Sequence, residues 1–287
     1  MTIYVLTLAN GLALAGYLFL LALGLNLSFG LLRIVNLTHG VFYMIGGYIG
    51  WSVFQRTEIW WLSILAGGVA IGLFALLQEF FLLRRARGKP IMETLITLSL
   101  AIILADLTIF LWDGIPRTMT FPDFLRGPLW IGGMPFPRSS IFVVAFAIVI
   151  GVIFWIILKK TKIGMIIRAG VDNFEMVSTL GINVSVLFTA MFAIAGLMAG
   201  VAGVLGATFQ MIAPGDDMRI IVFTLMVMIL GGMGSYEGSI FGALVIGLAF
   251  NFGALLVPHM GLFFVFLPVA LVLVFRPQGL LGKVINI

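Results

Sequence analysis

The chain has 287 residues, of which 62% are hydrophobic and 9% charged, with a net charge of +5 and no cysteine. A soluble domain carries about a quarter charged residues, so this composition, with a mean hydropathy of +1.23, excludes a water-soluble fold. The lack of cysteine removes disulfides and thiolate metal sites from consideration and says nothing about compartment.

A membrane-spanning helix needs about 20 apolar residues in succession. Runs of this kind recur at 8–30, 34–55, 60–83, 91–111, 140–158, 184–207, 218–233, 236–257 and 261–275. They are continuous, whereas a β-barrel would show short alternating segments. The predicted fold class is therefore all-α: one polytopic membrane domain over 1–287, with about 8–9 transmembrane or re-entrant helices. Residues 1–10 carry no Lys or Arg, and no small-residue cleavage site closes the first run, so the first helix is expected to stay as an anchor. The 34–55 run is interrupted by polar residues and the 218–233 run is short and ends in glycines, so either is a candidate for a broken or re-entrant helix.

Basic residues follow three of these runs: Arg84, Arg85, Arg87 and Lys89; Lys159, Lys160, Lys162 and Arg168; Arg276 and Lys283. Lys and Arg are held on the cytoplasmic side of short loops. One threading satisfies all three places, with the amino terminus outside, the carboxyl terminus inside and the proline-bearing 112–139 loop outside (Pro116, Pro122, Pro128, Pro135, Pro137). The pI near 9.8 then follows from topology and gives no reason to invoke nucleic acid.

Polar residues at membrane depth normally face a bundle interior or an aqueous route. Asn36, Thr38 and His39, with Gly40, are accordingly candidates for lining a substrate path; the competing role is satisfaction of backbone groups near a broken helix. Asn26, Gln78, Gln210 and Asn251 are expected to be interhelical hydrogen-bonders, and Glu79 and Glu93 to pair with basic neighbours such as Arg84 and Lys89. Asp106 alone is thin support for a proton relay; His259 is expected to meet solvent, and Trp60, Trp61, Trp112 and Trp130 to anchor at the outer interface.

Glycine is abundant, 35 in all. In lipid, small residues spaced by four let helices approach closely, as at Gly46 and Gly50, Gly68 and Gly72, Gly196 and Gly200, Gly238 and Gly242, and Ala243 and Gly247. Gly46, Gly47 and Gly50 continue the polar stretch and are candidates for a helix break or for close packing, as are Gly238 and Gly242. Gly231-Gly232 followed by Gly234-Ser235 predicts a true helix break. In the inner connection 159–183, Asp172 and Glu175 have the spacing of a capping box and Gly181 suits a helix end, predicting a short helix over about 173–180.

Four stretches resemble one family. Asn36-Leu37-Thr38-His39-Gly40 with Met44 and Gly46-Gly47-Tyr48, the inner loop Gly164-Met165, Arg168-Ala169, Asp172 and Leu180-Gly181-Ile182-Asn183, the glycine break 230–235 with Gly238 and Gly242, and the terminal Arg276-Pro277-Gln278-Gly279-Leu280-Leu281-Gly282 look like the LivH-type branched-chain amino acid ABC-transporter permeases, in family order. The resemblance implies an inner-membrane subunit of a bacterial importer of leucine, isoleucine, valine or a related small polar substrate. It implies a second, LivM-like permease subunit, two ATP-binding subunits and a soluble substrate-binding protein. Arg168, Ala169, Asp172, Asn173, Glu175 and Gly181 become candidates for coupling to the ATPase. The chain carries no GxxxxGK(S/T) phosphate loop, so no cofactor is expected on it, and ATP and Mg belong to the partner subunits. An ion-coupled secondary transporter is the alternative, and it should show paired intramembrane carboxylates or symmetric unwound sites. An intramembrane enzyme fits poorly: the two histidines lie far apart and no HExxH occurs.

Overall fold

The computed structural model describes residues 2–32, 35–172, 177, 181 and 183–282. Its helices are α1 (Thr2–Leu32), α2 (Thr38–Thr57), α3 (Trp60–Ala86), α4 (Pro90–Trp112), α5 (Arg138–Lys160), α6 (Lys162–Asp172), α7 (Val184–Phe209), α8 (Asp216–Gly231), α9 (Tyr236–Leu256) and α10 (Gly261–Phe275). Among the described residues, seven of them are long and apolar enough to cross a membrane; α2 and α8, the two doubted runs, are not among the seven. Between α4 and α5 a small antiparallel hairpin pairs β1 (Pro128–Ile131) with β2 (Met134–Pro137).

A helix that is apolar all round belongs inside a bundle or against lipid on every side. α1 takes the first course: 89% of its most apolar window is buried. α7 joins it at the centre, with 61% buried, whereas α4, α5 and α10 fall to 22%, 17% and 11% and present their apolar sides outward. The centre is assembled through glycine. A Cβ on Gly46 of α2 would lie 2.5 Å from Gly200 Cα of α7, and Gly67, Gly68 and Gly72 of α3 face Gly200, Val201 and Leu197 of the same helix. Dispersion contacts between closely approached backbones take the place of a hydrophobic driving force that lipid cannot supply.

The two ends of the bundle are tied separately. At one end, Arg87 Nη1 donates to Ser185 Oγ at 2.9 Å, Lys159 Nζ lies 3.0 Å from Glu237 Oε1, and Gly234 N donates to Asn26 Oδ1 at 2.9 Å. At the other, Trp60 Nε1 donates to Thr208 Oγ1 at 3.1 Å, Trp112 Nε1 to Ser52 Oγ at 2.8 Å, and Met119 N to the Ala207 carbonyl at 3.0 Å. The basic clusters 84–89 and 159–168, and Arg276, gather at the first end and the 112–139 loop at the second, the two-sided arrangement that the basic residues predict.

Four expectations are decided or corrected. Of the two roles open to Gly46, Gly47 and Gly50, close packing is the one adopted: α2 runs without interruption from Thr38 to Thr57, and all three are packing positions in its middle. A Cβ on Gly47 would lie 2.3 Å from Ile212 Cδ1, and one on Gly50 would lie 2.5 Å from Val204 Cγ2 of α7 and 3.3 Å from the Ser63 carbonyl oxygen of α3. Each glycine costs a helix only about 1 kcal/mol, which the close approach of α3 and α7 offsets. Trp60 is 2% exposed, enclosed by Phe121 and Phe142, so it is an interior residue, while Trp61 and Trp130 stay open. Glu79 pairs with a basic neighbour, as expected, and the partner is Arg87; the α3 backbone passes through a π turn at Glu79–Leu83. The 159–183 connection contains a helix that its sequence did not lead one to expect, α6, started by Thr161, whose hydroxyl accepts from Gly164 N at 3.1 Å. Asp172 is the last described residue of α6; Asn173 and Glu175, and with them the capping box, lie outside the described residues, and of the expected helix 173–180 only Val177 is described.

Candidate functional site

The stretch Asn36–Gly40 begins α2 well inside the bundle. Asn36 Oδ1 accepts from both the backbone N–H and the hydroxyl of Thr38, and Gln78 Nε2 of α3 donates to the Thr38 hydroxyl at 3.0 Å. A buried polar group costs free energy unless it is paired, and this chain of side chains satisfies the open first turn of α2. His39 Nε2 lies 3.0 Å from the Leu21 carbonyl of α1, so that nitrogen carries the donated proton. Asn36, Thr38 and His39 are 1%, 0% and 0% exposed. They face α1, α3 and one another, and leave Asn36 Nδ2 and His39 Nδ1 without partners among the described residues. Gly40 serves a different neighbour: a Cβ there would collide with the Asp217 carbonyl oxygen and Ile221 of α8.

α8 starts after a loop that comes from the end of the bundle opposite the basic clusters. Arg117 and Ile212 exchange both backbone hydrogen bonds at 2.8 Å, joining the loop after α4 to the loop before α8. Gly215, with φ of 92°, turns the chain into α8, and Asp216 Oδ2 accepts from Ala213 N at 2.8 Å. Asp216 Oδ1 also lies 2.7 Å from Arg219 Nη2, and the Arg219 side chain remains 47% exposed. Arg117 stacks its guanidinium 4.3 Å from the Trp51 ring, and its Nε is buried without a partner among the described residues. None of these charged residues was singled out in the sequence. The usable signal was Asp216-Asp217-Met218-Arg219 immediately before an apolar run, preceded by Pro214-Gly215.

At the basic end, the glycine break is real: α8 ends at Gly231, Gly232 and Gly234 have φ of 106° and 76°, and α9 starts under a Ser235 cap whose hydroxyl accepts from Gly238 N at 3.0 Å. Beyond the break, Gly238 and Gly242 lie within α9 and pack on Gly231 and Val227 of α8. The terminal motif folds directly onto the break. Leu280 N donates to the Leu230 carbonyl at 2.8 Å and Leu281 N to the Gly231 carbonyl at 3.0 Å, while Gly279 and Gly282 pack against Gly232. Two stretches far apart in sequence thus form one structural joint, in which side chains larger than hydrogen would not fit. Asn26 bridges the same joint, donating to Ser239 Oγ at 2.6 Å.

The buried carboxylate of Glu79 forms an ion pair with Arg87 and accepts from Thr189 of α7. Arg87 also lies 4.5 Å over the Phe188 ring. The start of α7 is thereby clamped to the basic end of α3, directly after the 159–183 segment. Glu93 accepts from Gly88 N at 2.8 Å and closes the same turn. Of the coupling candidates, Arg168 and Ala169 lie exposed on α6, and Gly181 adopts φ of 78°, as a helix-ending glycine does. Asn251 donates to the Gly247 carbonyl within its own helix, Asp106 is exposed on α4, and His259 is exposed in the turn Pro258–Met260.

Comparison with known proteins agrees with this architecture. Residues 7–274 match the family described as branched-chain amino acid transport system, permease component. The high-affinity branched-chain amino acid transport system permease protein BraD of Pseudomonas aeruginosa is 29% identical, with 98% of this chain and 96% of that protein aligned. LivH of Escherichia coli K12, named for the same kind of system, is 27% identical over 96% of this chain and 94% of its own length. A probable branched-chain amino acid permease LivH of Methanocaldococcus jannaschii is 27% identical over 81% of this chain and 75% of its own. No solved structure matches. With the match running across all the spans from α1 to α10, the chain belongs to the family of branched-chain amino acid transport permease components.

Proposed function

We propose that this chain is the membrane-spanning permease subunit of an ATP-driven importer of leucine, isoleucine and valine, with a substrate-binding protein delivering the cargo. The observation that carries the reading is the near full-length match to permeases named for that cargo. In this reading the chain pairs with a second, homologous permease and two ATP-binding subunits, which bind ATP and Mg. The chain sits in the cytoplasmic membrane with its basic end and carboxyl terminus inside, as the placement of Lys and Arg favours.

The 159–183 segment is the coupling element: α6 offers exposed Arg168 and Ala169 to the ATPase, with Asp172, Asn173, Glu175 and Gly181 following. The Glu79–Arg87–Thr189 clamp then carries movement of that segment into α7 and the glycine-packed centre. Asn36, Thr38 and His39 serve the route from behind, by holding α2 in place, and Gly40 seats α8 beside it. The test is uptake of radiolabelled leucine into vesicles containing the complex purified through a tag on this chain. ATP-dependent uptake requiring co-purified ATPase subunits is expected; ion-driven uptake by this chain alone would overturn the reading.

A further inference from the structure

The start of α8 lies near the middle of the bundle. It rests on Gly40, the third residue of α2, and Gly40 is separated from the outer end of α2 at Thr57 by a length of roughly 25 Å at 1.5 Å per residue. From Asp217 to the basic end of α8 at Gly231 is roughly 21 Å on the same measure. A hydrocarbon core is about 30 Å thick, so Arg219 and Asp216 stand close to its midplane.

An arginine there, with 47% of its side chain exposed, is incompatible with a lipid contact. Inserting an arginine at the centre of a spanning helix costs about 3 kcal/mol even on the lenient scales. The face that carries Arg219 therefore meets water, a ligand or another protein. Its neighbours narrow the choice. Asp216 supplies the opposite charge at 2.7 Å, Asp217 is buried against Gly40, and the exposed Met218 and Val222 supply apolar surface beside the charges. Further out, Ile212 packs on Gly47, about 10 Å above Gly40 along α2. That level holds Arg117, whose Nε is buried without an acceptor among the described residues. A cation at the outer level, a cation with its carboxylate at the midplane and a short apolar stripe match one chemical class: a zwitterionic amino acid with an aliphatic side chain.

We propose that Arg219, with Asp216, forms a membrane-depth subsite for the passing amino acid. The guanidinium receives the α-carboxylate, Asp216 faces the ammonium group, Met218 and Val222 take the side chain, and Arg117 is the outer relay. The proposal rests on the importer reading above and names the site at which that importer handles its cargo.

The experiment uses the full complex in vesicles. Because the chain has no native cysteine, Met218→Cys and Val222→Cys can be probed with a charged, membrane-impermeant thiol reagent, with Ile148→Cys on the outward face of α5 as the lipid-facing control. Labelling of 218 and 222 but not 148, slowed by leucine together with its binding protein, is expected. Arg219→Ala should lower ATP-dependent leucine uptake roughly tenfold or more, the effect of losing a hydrogen bond to a charged group. The ATPase subunits should still co-purify, and Arg219→Lys should recover part of the rate. Absence of labelling at 218 and 222, or unchanged uptake in Arg219→Ala, would overturn the subsite while the importer reading stands. A wild-type complex that takes up no leucine with ATP would instead overturn the reading on which the subsite rests.

Discussion

Two polar groups of side chains meet across Gly40 at nearly the same depth, yet they are built in opposite ways. Asn36, Thr38, His39 and Gln78 are enclosed on every side and bond to one another or to the α1 backbone. Asp216 and Arg219, on the other side of the contact, pair with each other and leave the arginine half open. The contrast teaches that polarity at membrane depth has two uses. An enclosed group completes the hydrogen bonding of an open helix start, and an open one requires an aqueous or molecular partner. The difference lies in which helix face each residue occupies, a property of packing and not of residue type.

The sharpest way to break the comparison is to separate the two groups. Gly40→Val places a branched side chain against the Asp217 carbonyl and Ile221; overpacking of this kind costs on the order of 3 kcal/mol or more where backbone must yield. Thermal unfolding in detergent should show a large loss, with little intact complex recovered. Glu79→Ala tests an enclosed charge at the basic end. It leaves Arg87 unpaired beside the fully buried position of the lost carboxylate, and removal of one partner of a buried pair costs roughly 3 kcal/mol. The melting temperature should fall, and Glu79→Gln should recover part of it through the bond to Thr189. A milder effect is expected from His39→Ala, which deletes the bond to Leu21 and opens a small void, for about 1–3 kcal/mol. Here uptake should fall only in proportion to folded complex. Arg219→Ala sharpens the contrast from the other side: it leaves Asp216, whose side chain is 11% exposed, without its ion partner, so some stability is lost, but uptake should fall well beyond the loss of folded complex. Uptake that falls only in proportion to folded complex in both His39→Ala and Arg219→Ala would dissolve the distinction between enclosed and open groups.

Much of the architecture was legible because the physics is local. An apolar run about as long as the bilayer is thick has few alternatives to a helix, and each such run became one. Gly231–Gly234 was readable as a break because adjacent glycines weaken a helix at that point, and the positive φ of Gly232 and Gly234 agrees. The same local signal leaves break and packing both open at Gly46, Gly47 and Gly50, where α3 and α7 press on α2 from both sides and hold it helical. α6 was missed because its apolar face is short and its start depends on one threonine, Thr161. The Arg219 site was missed for another reason: Asp216 and Arg219 near the beginning of a run look like the aqueous end of a span. Only the descent of the 210–215 loop along α2, past Gly47 to Gly40, carries them to the midplane.

By itself, then, the sequence determined that the chain lies in a membrane, where its apolar helices fall, which end gathers the basic residues and which family it resembles. Those follow from hydropathy, charge placement and motif order along one dimension. Tertiary structure alone decided that Trp60 is interior, that Glu79 chooses Arg87, that Gly50 packs instead of breaking its helix, that the terminal glycines close the break at Gly232, and that His39 is enclosed while Arg219 is open. Each of these depends on the distance between groups remote in the chain and on helix rotation. Adjacent residues on a helix point about 100° apart, so a small rotation exchanges an enclosed side chain for an open one.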